Sequence, residues 1–113
     1  MQLEAKKHLE DILLAAESTL DFTRGKTYDD YCINALLRSG VERQFQIMGE
    51  ALNRLLRTDP VVAESIENCR RIIAFRNILV HAYDVINDRV VWDVVSQELP
   101  ELHARVVALL EER

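Results

Sequence analysis

Glycine and proline are scarce in this sequence of 113 residues, which contains three glycines and two prolines. A fold of many short β-strands needs frequent tight turns, and tight turns rely heavily on these two residue types. Their scarcity therefore argues against a turn-rich β architecture and favours helices. Long apolar runs are also missing, because no stretch reaches the roughly 20 apolar residues that a membrane-spanning helix needs.

Cysteine is almost absent, and the two cysteines, Cys32 and Cys69, stand alone without the spacing of metal ligands. We interpret them as reduced thiols in the core of a cytosolic protein. Charged side chains interrupt the first residues, from Met1 to His8, before any long apolar run begins, which is not the pattern of a secretory signal. We therefore predict a cytoplasmic location and no membrane association.

Positive charge is in deficit, since the formal net charge at pH 7 is −5. Nucleic-acid-binding proteins of this size are more often basic, which argues against broad, non-specific RNA binding. A local basic cleft is still compatible with this net charge, because the electrostatic field depends on where the charges lie. Arg70, Arg71 and Arg76 cluster just before His81 and are candidates for such a cleft. The alternative for Arg70 and Arg71 is an ordinary solvated helix face.

Apolar residues make up 49% of the sequence, and they recur at helical spacing. A chain of this length can bury roughly two thirds of its unfolded surface, so we expect residues 1–113 to form one domain. The fold class predicted is all-α, an up-and-down bundle of about five helices with a long second helix. The predicted helices run from Leu3 to Asp21, from Tyr28 to Arg57, briefly after Pro60, from between Ser65 and Asn68 to His81, and as two stretches between Arg89 and Glu112.

Several interruptions of the helical pattern carry further predictions. Gly40 marks a candidate bend in the second helix, whereas Gly49 marks a point where another helix can approach closely. A loop is expected from Asp84 to Asp88. Pro100 should lie in the first turn of the last helix or kink the C-terminal pair.

The segment from Arg76 to Tyr83 contains a fixed cation, an amide, an imidazole and a phenol within eight residues. Arginine binds phosphate through a forked guanidinium, and histidine readily gives or takes a proton near neutral pH. Arg76 and His81 are therefore candidate catalytic residues for cutting a phosphodiester, with Asn77 and Tyr83 in supporting roles. We predict no metal and no cofactor, because no spacing of acids and histidines requires a metal site.

A helical geometry separates the two candidate catalytic residues. At 100° per residue, Arg76 and His81 lie about 140° apart around a straight helix, while Arg76 and Tyr83 lie about 20° apart. One ideal helix cannot easily direct Arg76 and His81 to the same phosphate. Either the helix unwinds near Val80–Tyr83, or a second subunit supplies the missing partner.

The pattern Arg-Asn-x-x-x-His-x-Tyr resembles the signature of HEPN-domain ribonucleases, and most closely that of the HepT-like toxins. These toxins are encoded beside a minimal nucleotidyltransferase antitoxin of the MntA type. Two further parts of the chain resemble elements of this family. One is the Ile47–Ala51 stretch in the second helix, and the other is Trp92–Val95 followed by Leu99–Leu102.

The resemblance implies a homodimeric endoribonuclease toxin that cleaves RNA without a metal. In this interpretation the 2′-hydroxyl of the RNA attacks the adjacent phosphorus, His81 acts as acid or base, and Arg76 stabilises phosphoryl charge. Asn77 would fix the imidazole tautomer or hold a phosphate oxygen, and Tyr83 would position the RNA backbone. The resemblance also implies that the nucleotidyltransferase partner inactivates the toxin by adenylylating Tyr83.

Two other functions are compatible with the sequence. The first alternative is a non-catalytic helical module that binds a nucleotidyltransferase partner or a nucleotide, and the second is a bundle with only a packing role. Among the remaining polar residues, Arg43 and Glu50 share a helix face and are expected to form a surface salt bridge or, alternatively, to line the cleft. His8 and His103 are expected to be exposed.

Overall fold

The computed structural model describes residues 1–112 and is helical with short connections, without a β-strand in that range. This confirms the predicted all-α bundle. No helix within residues 1–112 is long and apolar enough to cross a membrane. The elements are α1 (Leu3–Thr23), α2 (Tyr28–Ile33), α3 (Ala35–Thr58), α4 (Pro60–Glu64), α5 (Cys69–His81), a 3-10 turn (Tyr83–Val85), α6 (Asp88–Asp93), a π-helical turn (Val94–Glu98) and α7 (Leu99–Glu111).

The predicted long second helix is wrong in one respect, because the chain breaks at Asn34 and forms α2 and α3 separately. Asn34 has an extended backbone, and its side-chain Oδ1 accepts a hydrogen bond from the Leu37 amide at 3.0 Å, which caps α3. Arg38 donates to the backbone carbonyl of Cys32 at the end of α2. The Asn34 side chain thus takes the place of a helical backbone acceptor for the Leu37 amide. For this reason the helix breaks at Asn34 and not at Gly40.

Helix α3 is the central element, since it packs against α1 on one side and α5 on another. Phe45 of α3 meets Phe75 of α5 edge to face, with ring centroids 5.3 Å apart. Cys69 is a free thiol in this core, and burial raises its pKa, which keeps the thiol protonated. The largest fully buried side chains are Tyr31, Phe45, Leu9, Ile12, Met48, Leu52, Leu55, Ile72, Leu99 and Leu102.

The C-terminal third is more regular than the sequence suggests. The predicted loop from Asp84 to Asp88 is confirmed as a non-α connection, except that it contains part of the 3-10 turn and that α6 already begins at Asp88. Asn87 caps α6 through its Oδ1. The π-helical turn joins α6 to α7, with the backbone at its boundary in the right-handed helical region. Pro100 lies in the first turn of α7, as predicted, where its missing N–H costs no helical hydrogen bond.

Gly49 lies where α5 crosses α3, and the predicted close approach of another helix is confirmed. A Cβ atom added at Gly49 would lie 2.2 Å from Cβ of Arg76 and 2.6 Å from its Cγ. No side chain larger than hydrogen fits at that position without moving the helices apart. Gly49 therefore sets the distance between α3 and the helix that carries the Arg76–Tyr83 segment.

Replacing Gly49 by alanine should destabilise the protein by about 1–3 kcal/mol, because the added methyl group overpacks the α3–α5 contact. Gly40→Ala is the matched control in the same helix, since its Cβ would meet only the ring of the exposed Phe22 at 3.4 Å. The control should be neutral or more stable by up to about 1 kcal/mol, owing to alanine's helix propensity. Urea denaturation of both variants measures the difference; equal stabilities would contradict the role given to Gly49.

Candidate active site

Arg76 is held by contacts on two helices. Its Nη2 donates to Oε2 of Glu50 on α3 at 2.9 Å, and its Nη1 donates to Oδ1 of the neighbouring Asn77 at 2.9 Å. The other carboxylate oxygen of Glu50 accepts from Nε of Arg54 at 3.0 Å. The carboxylate of Glu50 therefore bridges two guanidinium groups. Its bond to Arg76 links α3 to α5 at the place where Gly49 lets the two helices approach closely.

A groove of about 410 Å³ opens beside this bridge, between α1, α3 and α5. Helix α5 contributes Arg76 and Val80 to its lining, and His81 is not part of it. From α1 and α3 the groove receives charged and polar side chains beside the apolar Ile47 and Ala51. The charged and polar ones are His8 and Asp11 from α1 and Arg43, Gln46, Glu50 and Arg54 from α3.

His81 is the last residue of α5, and its side chain is exposed. The chain leaves the α-helical conformation only at Ala82, where φ is −133° and ψ is 42°. The unwinding predicted near Val80–Tyr83 therefore begins after His81, and it does not reduce the angle between Arg76 and His81. Within one chain Arg76 is turned towards α3 and His81 lies on a different side of the helix.

Tyr83 lies beyond the end of α5, in the 3-10 turn, and its side chain is 76% exposed. The predicted angle of about 20° between Arg76 and Tyr83 is wrong, because it assumed a continuous α-helix. Asp84 lies in the same 3-10 turn. Asn77 contacts Arg76 rather than the imidazole, so in this structure it helps to orient the guanidinium.

Arg70 and Arg71 are engaged in ion pairs. Arg70 pairs with Glu64, whose hydrogen bond and charge raise the pKa of the guanidinium above its usual value. Arg71 forms an ion pair with Glu98, with Nε 2.7 Å from Oε1, and the Glu98 side chain is nearly buried in the π-helical turn. The acidic partners offset the charge of the predicted cationic cluster, so contact of Arg70 and Arg71 with RNA stays a prediction.

Two sequence-based predictions about the surrounding side chains are wrong. Arg43 does not pair with Glu50; its Nη1 contacts Oε1 of Gln46 at 3.5 Å, while Glu50 is occupied by Arg54 and Arg76. Arg43 and Glu50 both line the groove, which agrees with the alternative that they line a cleft. His8 is buried in the groove wall rather than exposed. His103 is half-buried and lies 3.4 Å from Glu17.

The bridge from Glu50 to Arg54 was missed, although a Glu four residues before an Arg is a recognisable helix pair. No sequence pattern indicates the pairing of Glu50 with Arg76. The two residues are 26 positions apart, and only the packing of α3 on α5 brings them together. No group of three His, Cys, Asp or Glu side chains in the described part of the chain is arranged to hold a metal ion.

Comparison with known proteins identifies the family. The family model "Ribonuclease HepT-like" matches residues 12–109, which include the Glu50 bridge, the α3 and α5 sides of the groove and the whole Arg76–Tyr83 segment. The chain belongs to the HepT-like ribonuclease family. The sequence-based family prediction and the ribonuclease class are thereby confirmed.

Relatives of this HepT-like chain match it over nearly its full length. "Putative RNase MJ1380" of Methanocaldococcus jannaschii is 30% identical over 105 residues, which cover 91% of this chain and 94% of the relative. "Probable ribonuclease HepT" of Thermococcus cleftensis is also 30% identical, over 93% of this chain and 94% of the relative. No solved structure gives a significant match.

Proposed function

We propose that this HepT-like chain is a metal-independent endoribonuclease toxin, with Arg76 and His81 as its catalytic residues. The observation that carries the proposal is that Arg76 is held by Glu50 and Asn77, while His81 is exposed on the same helix. A held guanidinium offers preorganised charge stabilisation to a phosphoryl group. An accessible imidazole is free to exchange protons with a bound substrate.

The reaction is an internal transfer at phosphorus. The 2′-hydroxyl oxygen forms a bond to the adjacent phosphorus, the bond from phosphorus to the 5′-oxygen of the next nucleotide breaks, and a 2′,3′-cyclic phosphate remains. Two protons move: His81 takes the hydroxyl proton while water protonates the leaving oxygen, or His81 protonates the leaving oxygen while water takes the hydroxyl proton. Arg76 neutralises charge on the non-bridging oxygens. DNA lacks the 2′-hydroxyl and is not a substrate for this chemistry.

A homodimer supplies the geometry that one chain lacks. Arg76 and His81 lie about 140° apart on a helix that is regular through His81, so we propose that Arg76 of one subunit acts with His81 of the other. Exposed apolar side chains surround His81 and support a subunit contact there. They are Ile78, Val80, Tyr83 and Val85, from the end of α5 and the 3-10 turn.

Tyr83 is the proposed site of inactivation by a minimal nucleotidyltransferase antitoxin. Of the three tyrosines, Tyr31 is fully buried, Tyr28 is half-buried, and Tyr83 is largely exposed. The phenolic oxygen of Tyr83 would bond to the α-phosphorus of ATP, with release of pyrophosphate and loss of the phenol proton. The added AMP carries bulk and negative charge, which opposes RNA binding near His81.

His81→Ala should reduce RNA cleavage by a factor of about 10² or more, because it removes the proton-transferring group. The test incubates purified protein with RNA in EDTA and looks for fragments ending in a cyclic phosphate. His103→Ala is the control, since His103 lies on α7 beside Glu17 and should keep full activity. Undiminished cleavage by the His81 variant would reject the assignment, and an absence of cleavage by the unmodified protein would favour the non-catalytic binding module.

Mixing two inactive variants tests the shared site. Arg76→Gln and His81→Ala chains, refolded together, should recover about a quarter of the original activity. Random pairing would put one chain of each variant in half of the dimers. Each such mixed dimer has two sites, of which one contains both Arg76 and His81. Each variant refolded alone is the control and should stay inactive. No recovery in a mixture shown to contain mixed dimers would mean that the two residues act within one chain.

Co-expression with the nucleotidyltransferase partner should place one AMP group on Tyr83 and suppress cleavage. Mass spectrometry of peptides locates the modification, and Tyr83→Phe should remain unmodified and active in the presence of the partner. AMP found on Tyr28 instead would reject the placement.

A further inference from the structure

The groove between α1, α3 and α5 is lined by two arginines besides Arg76. Arg43 and Arg54 both line it from α3, and they lie eleven residues apart in the sequence. That spacing puts them about 20° apart around the helix and about 16 Å apart along it. Neighbouring phosphates of one strand in a duplex rise by about 3.4 Å, so the arginines span several phosphate intervals.

Charge in the groove has the opposite sign to the charge of the whole chain. Three guanidiniums, those of Arg43, Arg54 and Arg76, line it together with the carboxylates of Asp11 and Glu50. Lys7 pairs with Asp11 at 3.3 Å and offsets its charge. The groove therefore has a local excess of positive charge on a chain whose net charge is −5.

The arginines keep hydrogen-bond donors that a phosphate can use. Arg54 contacts Glu50 through Nε, which leaves its two terminal nitrogens available. Arg43 is exposed, and within residues 1–112 its one side-chain hydrogen bond is long, 3.5 Å from Nη1 to the neutral side chain of Gln46. Guanidinium groups with free terminal nitrogens bind phosphate oxygens in a forked geometry.

We propose that this groove binds the phosphate backbone of single-stranded RNA beside the scissile linkage, with Arg43 and Arg54 as phosphate ligands. The proposal rests on the proposed ribonuclease function, and it assigns substrate binding to α3 rather than to Arg70 and Arg71. The groove has arginines but no Phe, Tyr or Trp in its lining. Binding here therefore depends on charge and not on base stacking, so it tolerates many sequences.

The test measures binding of a fluorescein-labelled 2′-O-methyl oligoribonucleotide, which the proposed reaction cannot cleave, by fluorescence anisotropy over a range of salt concentrations. Arg43→Gln, Arg54→Gln and the double variant are compared with Arg57→Gln. Arg57 is the matched control, because it is an exposed arginine on α3 outside the groove. Arg43→Gln isolates phosphate binding from the positioning of Arg76, since Arg43 contacts Gln46 and not Glu50.

The double variant should bind about tenfold more weakly, and the slope of log affinity against log salt should fall by about 0.7 for each lost contact. The Arg57 variant should match the unmodified protein in both. If the double variant binds RNA as tightly as the Arg57 variant while the unmodified protein still cleaves RNA, the groove assignment alone is overturned. If binding depends on Arg43 and Arg54 but RNA is never cleaved, the groove stands and the ribonuclease mechanism falls. Thermal melting confirms that each variant is folded.

Discussion

The carboxylate of Glu50, shared by Arg54 and Arg76, is the contact on which the candidate site depends. It joins the central helix α3 to α5, and it exists because Gly49 lets the two helices approach until the stem of Arg76 lies against the α3 backbone. The bridge orients a guanidinium that would otherwise sample many rotamers. Its cost is modest, because both partners are only partly buried and keep some contact with water.

The regular geometry of α5 shapes the proposed chemistry as strongly as its side chains do. A helix that continues through His81 holds Arg76 and His81 on different sides, and no rotation about side-chain bonds changes the helical backbone that separates them. In the proposed twofold dimer this separation is an advantage. Each subunit can place Arg76 in its own groove and His81 in the groove of its partner. The exposed apolar residues near His81 fit such an arrangement.

The chain is acidic as a whole, but the groove along α3 carries an excess of positive charge. The acidic total disfavours indiscriminate attraction of nucleic acid, yet the acids are unevenly placed. Glu64 and Glu98 offset Arg70 and Arg71, whereas Arg43 has no carboxylate among its contacts within residues 1–112. The arginines that cluster in the sequence are therefore paired with acids in the fold, and the groove along α3 is the better candidate for RNA.

The helical class, most helix positions and the Arg76–Tyr83 segment follow from the sequence alone. They depend on local rules, since apolar spacing, caps and helix-breaking residues act over a few positions. The folded chain was needed to show that Asn34 divides the second helix, that His8 is buried, that Gly49 faces Arg76, and that Glu50 binds Arg76 instead of Arg43. Each of those outcomes depends on a local competition of similar energies or on residues far apart in the chain, which only packing brings into contact.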